Sequence, residues 1–167
     1  MFRNLIAFPL LALVVIVQSA VVSHMTLLAG YADLMLVVLA AWVLKAEASF
    51  AWLWAILGGI MVSFVSAVPW PVTIFGYLFV VLLAQLLKRR VWQAPLLAMF
   101  SVTFLGTLVA NLFTLLLLNI LGTPLPIADS LGLIVLPSML LNLLFAIPVY
   151  VMVRDLAQWV SPAQEVE

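Results

Sequence analysis

The stretch PLLAMFSVTFLGTLVANLFTLLLLNIL, from Pro95 to Leu121, contains no charged side chain. A helix needs roughly 20 mainly apolar residues to cross the hydrocarbon core of a bilayer, which is ~30 Å thick. This stretch is therefore long enough to cross a membrane with some tilt. The segment GTPLP, at Gly122–Pro126, follows it and predicts a turn, because glycine and proline interrupt helices.

The composition of the whole chain extends this conclusion. Of its 167 residues, 68% are hydrophobic and 7% are charged, whereas a soluble domain is about half apolar and about a quarter charged. Too few polar side chains are present to cover a surface that faces water, which excludes a soluble enzyme and a disordered tail. The formal charge is zero, so no bulk charge attracts nucleic acid. The sequence therefore predicts a single integral membrane domain over residues 1–167.

Short segments with charges, glycine or proline divide the chain into apolar stretches. These segments are Lys45-Ala46-Glu47, Pro69-Trp70-Pro71, Lys88-Arg89-Arg90 and Gly122–Pro126. We predict an all-α bundle of six transmembrane helices. The predicted spans are Leu5–Val22, Leu27–Leu44, Phe50–Val68, Val72–Leu87, Pro95–Leu121 and Leu131–Val153.

The positions of the basic residues predict the orientation of the chain. If the N-terminus is cytoplasmic, all six lysine and arginine side chains lie on the cytoplasmic side. Because cytoplasmic loops are enriched in lysine and arginine, we expect a multi-pass chain with both termini in the cytoplasm. The cluster Lys88, Arg89 and Arg90 then anchors the topology and attracts anionic lipids, at about 1 kcal/mol for each charge. A docking point for a cytoplasmic partner is the alternative interpretation of this cluster.

Asp33 is the one acidic residue that the predicted spans place inside the bilayer. Along a helix it lies ~18 Å from Lys45, which is beyond the midplane toward the outer face. One interpretation is a proton or cation relay, or a polar contact with a partner helix. The other is a cap for a second helix that begins near Tyr31, just after Gly30.

Amide side chains are the other polar groups predicted at membrane depth. Asn111 and Asn142 are the main candidates, and each can hydrogen-bond across helices. Asn142 lies between Pro137 and Pro148, which remove helical hydrogen bonds and are expected to kink the last span. We expect Asn142 to help satisfy the carbonyls that these prolines leave free.

Small residues recur every four positions in the third predicted span. Ala55, Gly59, Ser63 and Ala67 therefore share one helix face, on which a neighbouring backbone can approach closely. Packing within the bundle and an interface with another membrane protein are both compatible with this pattern.

Patterns typical of catalysis are absent from the sequence. It has no HExxH motif, no glycine-rich phosphate loop and no pair of carboxylates at predicted membrane depth. Without cysteine it cannot form a thiolate metal site. We therefore predict no catalytic residues, no metal site and no cofactor, and we do not expect an enzyme.

Four segments carry a family resemblance. They are VIVQS at Val15–Ser19, YADLML at Tyr31–Leu36, PVTIFGY at Pro71–Tyr77 and LPSMLLN at Leu136–Asn142, the last followed by Pro148-Val149-Tyr150. In these segments the chain resembles the MreD family, the small rod-shape-determining membrane proteins of bacteria. Ala32 stands where that family usually has proline. Ser63 stands where it often has aspartate, so no role of that acid transfers to this chain.

The resemblance implies a function and a set of partners. It implies a non-enzymatic scaffold of the complex for cell shape and lateral peptidoglycan synthesis, in the bacterial inner membrane. The implied partners are an MreC-like bitopic protein, an MreB-like actin filament and the RodA glycosyltransferase with its transpeptidase.

The fold of that family is also similar to the substrate-binding subunits of energy-coupling-factor transporters. The alternative function is therefore a membrane subunit that binds a small molecule in an outward-facing cavity near Asp33 and Asn142. A scaffold is expected to expose small-residue grooves such as Ala55–Gly59–Ser63, whereas a solute-binding subunit is expected to enclose a polar pocket.

Overall fold

The computed structural model describes residues 7–45, 50–90, 94–123 and 126–160. This part of the chain is helical apart from turns and one short hairpin, in agreement with the predicted all-α class. The helices are α1 (Ala7–Ala20), α2 (Leu34–Lys45), α3 (Ala51–Val65), α4 (Trp70–Arg90), α5 (Pro95–Ile120), the short α6 (Ile127–Ser130) and α7 (Leu136–Val160). A π-helical turn, Leu131–Val135, joins α6 to α7.

Three helical segments in these described ranges are long and apolar enough to cross a membrane. They are Trp70–Arg89, Pro95–Ile120 and Ala128–Trp159. Three shorter apolar helical segments accompany them, Phe8–His24, Leu34–Lys45 and Ala51–Val65. The lengths therefore support a membrane protein with helical spans, while the number of six spans stays a prediction.

The predicted second span, Leu27–Leu44, is wrong at its beginning. Its first residues form a two-stranded antiparallel hairpin, with β1 at Thr26–Leu27 and β2 at Gly30–Tyr31. The helix begins only at Leu34. Hydropathy cannot separate the two conformations, because the hairpin is itself rich in apolar residues such as Leu27 and Leu28.

Helix α2 is the centre of the fold. Every residue from Leu34 to Val43 is buried, and α2 contacts α1, α3, α4, α5 and α7. A helix that is apolar on all sides is expected to be enclosed by other elements. Trp42 of α2 stacks on Trp54 of α3, with ring centroids 4.7 Å apart. The longer helices therefore pack around a short central one.

The small-residue stripe of α3 packs largely within the chain. Ala55 and Gly59 are buried, and a Cβ atom added at Gly59 would lie 2.8 Å from Cγ1 and 3.0 Å from Cα of Ile74 in α4. The Ser63 hydroxyl donates to the Gly59 carbonyl of its own helix. Ala67 is exposed and lies beyond the end of α3, so the four-residue periodicity does not continue to it.

The outer face of the bundle is apolar. Large hydrophobic side chains are exposed on most helices, including Phe64, Trp70, Leu144, Met152 and Trp159. An apolar surface of this kind is unfavourable in water and is suited to contact with lipid tails or other membrane helices.

Gly59→Leu is expected to destabilise the folded chain by about 3 kcal/mol, because the added side chain meets the backbone of Ile74. Thermal unfolding of the purified protein in detergent measures this effect. Gly132→Leu is the matched control, since a Cβ atom at Gly132 meets nothing within 4 Å. Equal melting temperatures for the two variants would show that α3 and α4 do not pack as described.

Candidate functional site

Asp33 caps the central helix. Its Oδ1 atom accepts a hydrogen bond of 3.0 Å from the backbone N–H of Leu36, the third residue of α2. This is the geometry of a helix N-cap, as in the second interpretation of Asp33 from the sequence, but the helix begins at Leu34 and not near Tyr31. The Tyr77 hydroxyl of α4 lies 2.9 Å from Oδ1 and 3.0 Å from Oδ2 of the same carboxylate and donates to it. Asp33 thus connects the beginning of α2 to α4.

Asn142 of α7 joins three elements. Its Oδ1 atom accepts the backbone N–H of Asp33 at 2.7 Å, and its Nδ2 atom donates to the Thr107 hydroxyl of α5 at 2.8 Å. Asn142 and Thr107 are both buried. The expectation that Asn142 satisfies carbonyls freed by the prolines is therefore wrong, since its two hydrogen bonds are made to the Asp33 N–H and to the Thr107 hydroxyl of α5.

A different group satisfies the carbonyl that Pro137 leaves without a partner. Proline has no N–H, so the helical bond from residue 137 to the carbonyl of Leu133 cannot form. The Leu133 carbonyl instead accepts the backbone N–H of Ala29, at 3.0 Å. Gly30 allows the hairpin to lie this close to the π-helical turn and α7, because a Cβ atom there would be 2.7 Å from the Ile134 carbonyl oxygen and 2.7 Å from the Ser138 nitrogen.

Two further side chains hold the hairpin and the beginning of α2. The Gln18 amide of α1 donates to the Ala32 carbonyl at 2.8 Å and accepts the Leu34 N–H at 2.7 Å. The Ser138 hydroxyl of α7 accepts the Tyr31 N–H at 3.2 Å. We use the name Asp33 network for these hydrogen-bonded residues, which are Gln18, Asp33, Tyr77, Thr107, Ser138 and Asn142.

Sequence reasoning did not assign the roles of Tyr77, Thr107 and Ser138. One signal could have found Tyr77, because a buried tyrosine hydroxyl needs a hydrogen-bond partner and Asp33 is the one acid predicted at depth. The other partners depend on contacts between residues far apart in the chain, such as Asp33 with Asn142, which the local sequence does not reveal.

The Asp33 network lies beside a cavity of about 660 Å³. Residues from α1, α2, α3, α4, α5 and α7 line it, together with Tyr31 and Asp33. Asn111 and Asn142 both belong to its wall. The Asn111 side chain also donates to the Thr107 carbonyl of its own helix, at 2.9 Å. The three polar residues predicted inside the membrane, Asp33, Asn111 and Asn142, are thus brought to one cavity.

Basic side chains gather at the opposite end of α2. The Lys88 Nζ atom donates to the Val43 carbonyl at 3.2 Å, and Lys45 Nζ lies 5.0 Å from the centre of the Tyr150 ring. Arg89 follows Lys88 at the end of α4. Arg154, one helical turn after Tyr150, forms an exposed ion pair with Asp155. Arg3 and the side chain of Arg90 lie outside the described part of the chain.

Comparisons of the chain with known protein families, with curated proteins and with solved structures found no match. Within the described ranges, no group of three or more histidine, aspartate or glutamate residues is arranged to hold a metal ion.

Asn142→Leu is expected to lower the free energy of unfolding by about 2 kcal/mol or more, because the Asp33 N–H and the buried Thr107 hydroxyl lose their partner. Thermal or denaturant unfolding in detergent measures the loss. Asn119→Leu is the control, since Asn119 is exposed and its side chain donates only within α5. A similar small effect of both substitutions would contradict a structural role for Asn142.

Proposed function

We propose that this chain is a non-enzymatic scaffold subunit of MreD type, within the bacterial complex for cell shape and lateral peptidoglycan synthesis. One observation carries the proposal. The four segments in which the chain resembles the MreD family meet at the Asp33 network, and each contributes to it. Gln18, Asp33 and Tyr77 come from the first three segments, and Ser138 and Asn142 come from the fourth.

This convergence supports the resemblance for a physical reason. Apolar helices resemble one another by composition alone, but matching polar residues at positions that contact each other requires a shared packing. The Asp33 network fixes that packing, because it ties α2 to α1, α4 and α7. A rigid bundle with an apolar outer face is suited to hold membrane partners by lateral helix contacts.

The proposed arrangement is a six-span protein of the inner membrane with both termini in the cytoplasm. The position of Lys45, Lys88, Arg89 and Arg154 at one end of the bundle supports this orientation. Lys88, Arg89 and Arg90 then contact anionic lipids. The apolar outer face contacts an MreC-like bitopic protein and RodA with its transpeptidase, and the MreB-like filament lies at the basic end.

Detergent extraction from native membranes after chemical crosslinking tests the scaffold. Capture of the tagged full chain is expected to enrich a single-spanning MreC-like protein and the RodA-type synthase. Single tryptophan substitutions at exposed positions then test one helix at a time, beginning with Phe64, Leu144 and Met152. Capture of a partner should be abolished only when the substituted helix forms the interface with it. The same substitutions should leave the melting temperature unchanged. Absence of both partners, relative to an unrelated tagged membrane protein, would contradict the proposal.

The proposed orientation is testable because the chain has no cysteine. Thr123 and Phe50 are exposed at opposite ends of the bundle, so each can be replaced singly by cysteine. A membrane-impermeant maleimide applied to intact spheroplasts is expected to label Thr123→Cys directly and Phe50→Cys only after permeabilisation. The reverse labelling pattern would place the basic end outside.

A second candidate function is a small-molecule-binding subunit of a transporter, and the cavity favours it. Its volume of about 660 Å³ falls within the range of ~300–1,000 Å³ typical of ligand pockets. Gly59, expected to lie in an open groove of a scaffold, is instead covered by Ile74. The crosslinking experiment separates the two functions by the identity of the captured partners, since a transporter subunit is expected to capture its transport ATPases.

A further inference from the structure

We propose that the cavity beside the Asp33 network binds a small organic cation, with the Asp33 carboxylate as its counter-charge. This inference rests on the second candidate function, the binding of a small molecule, and adds the class of ligand. It is independent of the scaffold function, because a scaffold subunit can also hold a ligand.

The charges of the cavity support a cation. Asp33 is the only charged side chain among the described residues that line the cavity, and none of them is basic. Its hydrogen-bond donors, the Leu36 N–H and the Tyr77 hydroxyl, are neutral. The basic side chains Lys45 and Lys88 lie at the other end of α2. A carboxylate in such a position is stabilised by a bound cation, whereas an anion entering the cavity would be repelled.

The hydrogen-bonding groups of the cavity also suit an ammonium group, which has three donors and no acceptor. Oδ2 of Asp33 accepts from Tyr77 and, as a carboxylate oxygen, has room for a second donor. The Thr73 hydroxyl of α4 is buried without a hydrogen-bond partner among the described residues, and Thr73 belongs to the cavity wall. A ligand in the cavity would supply that partner, whereas the unpaired hydroxyls of Thr103 and Tyr150 lie outside the cavity wall.

The rest of the wall suits an apolar body behind the charged group. Leu36, Val62 and Val72 line the cavity together with the aromatic residues Tyr31 and Tyr77. The volume leaves space for a molecule rather than for a bare metal ion. Aromatic side chains are also favourable neighbours of organic cations.

Three probes with one carbon skeleton test the charge class. They are 2-phenylethylamine, its neutral counterpart 2-phenylethanol and the anion phenylacetate, each titrated into the full chain in lipid nanodiscs. Ligand-observed NMR measures the affinities. We expect the amine to bind at least about tenfold more tightly than the alcohol, and phenylacetate not to bind. Equal or tighter binding of the alcohol or of phenylacetate would overturn the charge class and leave small-molecule binding intact. If none of the three probes binds, both the charge class and small-molecule binding are overturned.

Substitutions test the role of Asp33. Asp33→Asn keeps an oxygen that can cap α2 and removes the charge, so the amine and the alcohol should bind equally. Asp129→Asn is the matched control, because Asp129 is exposed on α6 outside the cavity, and the preference for the amine should persist. An unchanged preference in Asp33→Asn would overturn the assignment of the counter-charge.

A cavity-filling variant keeps the proposal testable if Asp33→Asn fails to fold. Asn111→Trp retains Asp33 and places a much larger side chain in the cavity wall, so binding of 2-phenylethylamine should weaken by at least about tenfold. Unchanged binding in a folded Asn111→Trp protein would show that the amine binds elsewhere and would overturn the proposal.

Discussion

The structure depends on how the beginning of α2 is satisfied within the bundle. The first N–H groups of any helix have no partner inside the helix, and a membrane interior offers no water to replace one. Three of these groups receive side-chain acceptors from three different elements: Asn142 accepts from Asp33, Gln18 accepts from Leu34, and the Asp33 carboxylate accepts from Leu36. Because α1 and α7 supply two of the acceptors, the position of α2 also fixes the helices around it.

A helix held in this way can be short. Helix α2 has 12 residues, about 18 Å at 1.5 Å per residue, which is less than the ~30 Å hydrocarbon core. The hairpin of Thr26 to Tyr31 directly precedes α2 in the chain. Two of its backbone N–H groups, those of Ala29 and Tyr31, donate to Leu133 and Ser138 of the last helical segment. Apart from Gly30 the hairpin residues are exposed, so the hairpin lies at the surface of the bundle. The cavity lies at the same place, where the central helix begins.

The sequence predicts the class of the fold and much of its helical content. Hydropathy and the positions of proline, glycine and charged residues are local signals, so they can be found without the tertiary structure. The described beginning of α5 at Pro95 matches the prediction, and Gly122, with a φ of 80°, follows its end. The hairpin could not be predicted, since its acceptors on α7 lie more than a hundred residues away. The same reason applies to the cavity. Asp33, Asn111 and Asn142 could be named as polar residues at depth, but their meeting depends on tertiary packing.

The missing N–H of Pro137 has a consequence for the order in which the chain is assembled. Ala29, Tyr31 and Asp33 belong to an early part of the chain, yet their backbone N–H groups find acceptors only on Leu133, Ser138 and Asn142. A ribosome delivers the acceptors Ser138 and Asn142, respectively, 107 and 109 residues after their donors. The region between α1 and α2 therefore cannot complete its hydrogen bonds until the final helix has entered the membrane. Synthesis of the C-terminal helix is therefore the step that completes the hydrogen bonds of the region between α1 and α2.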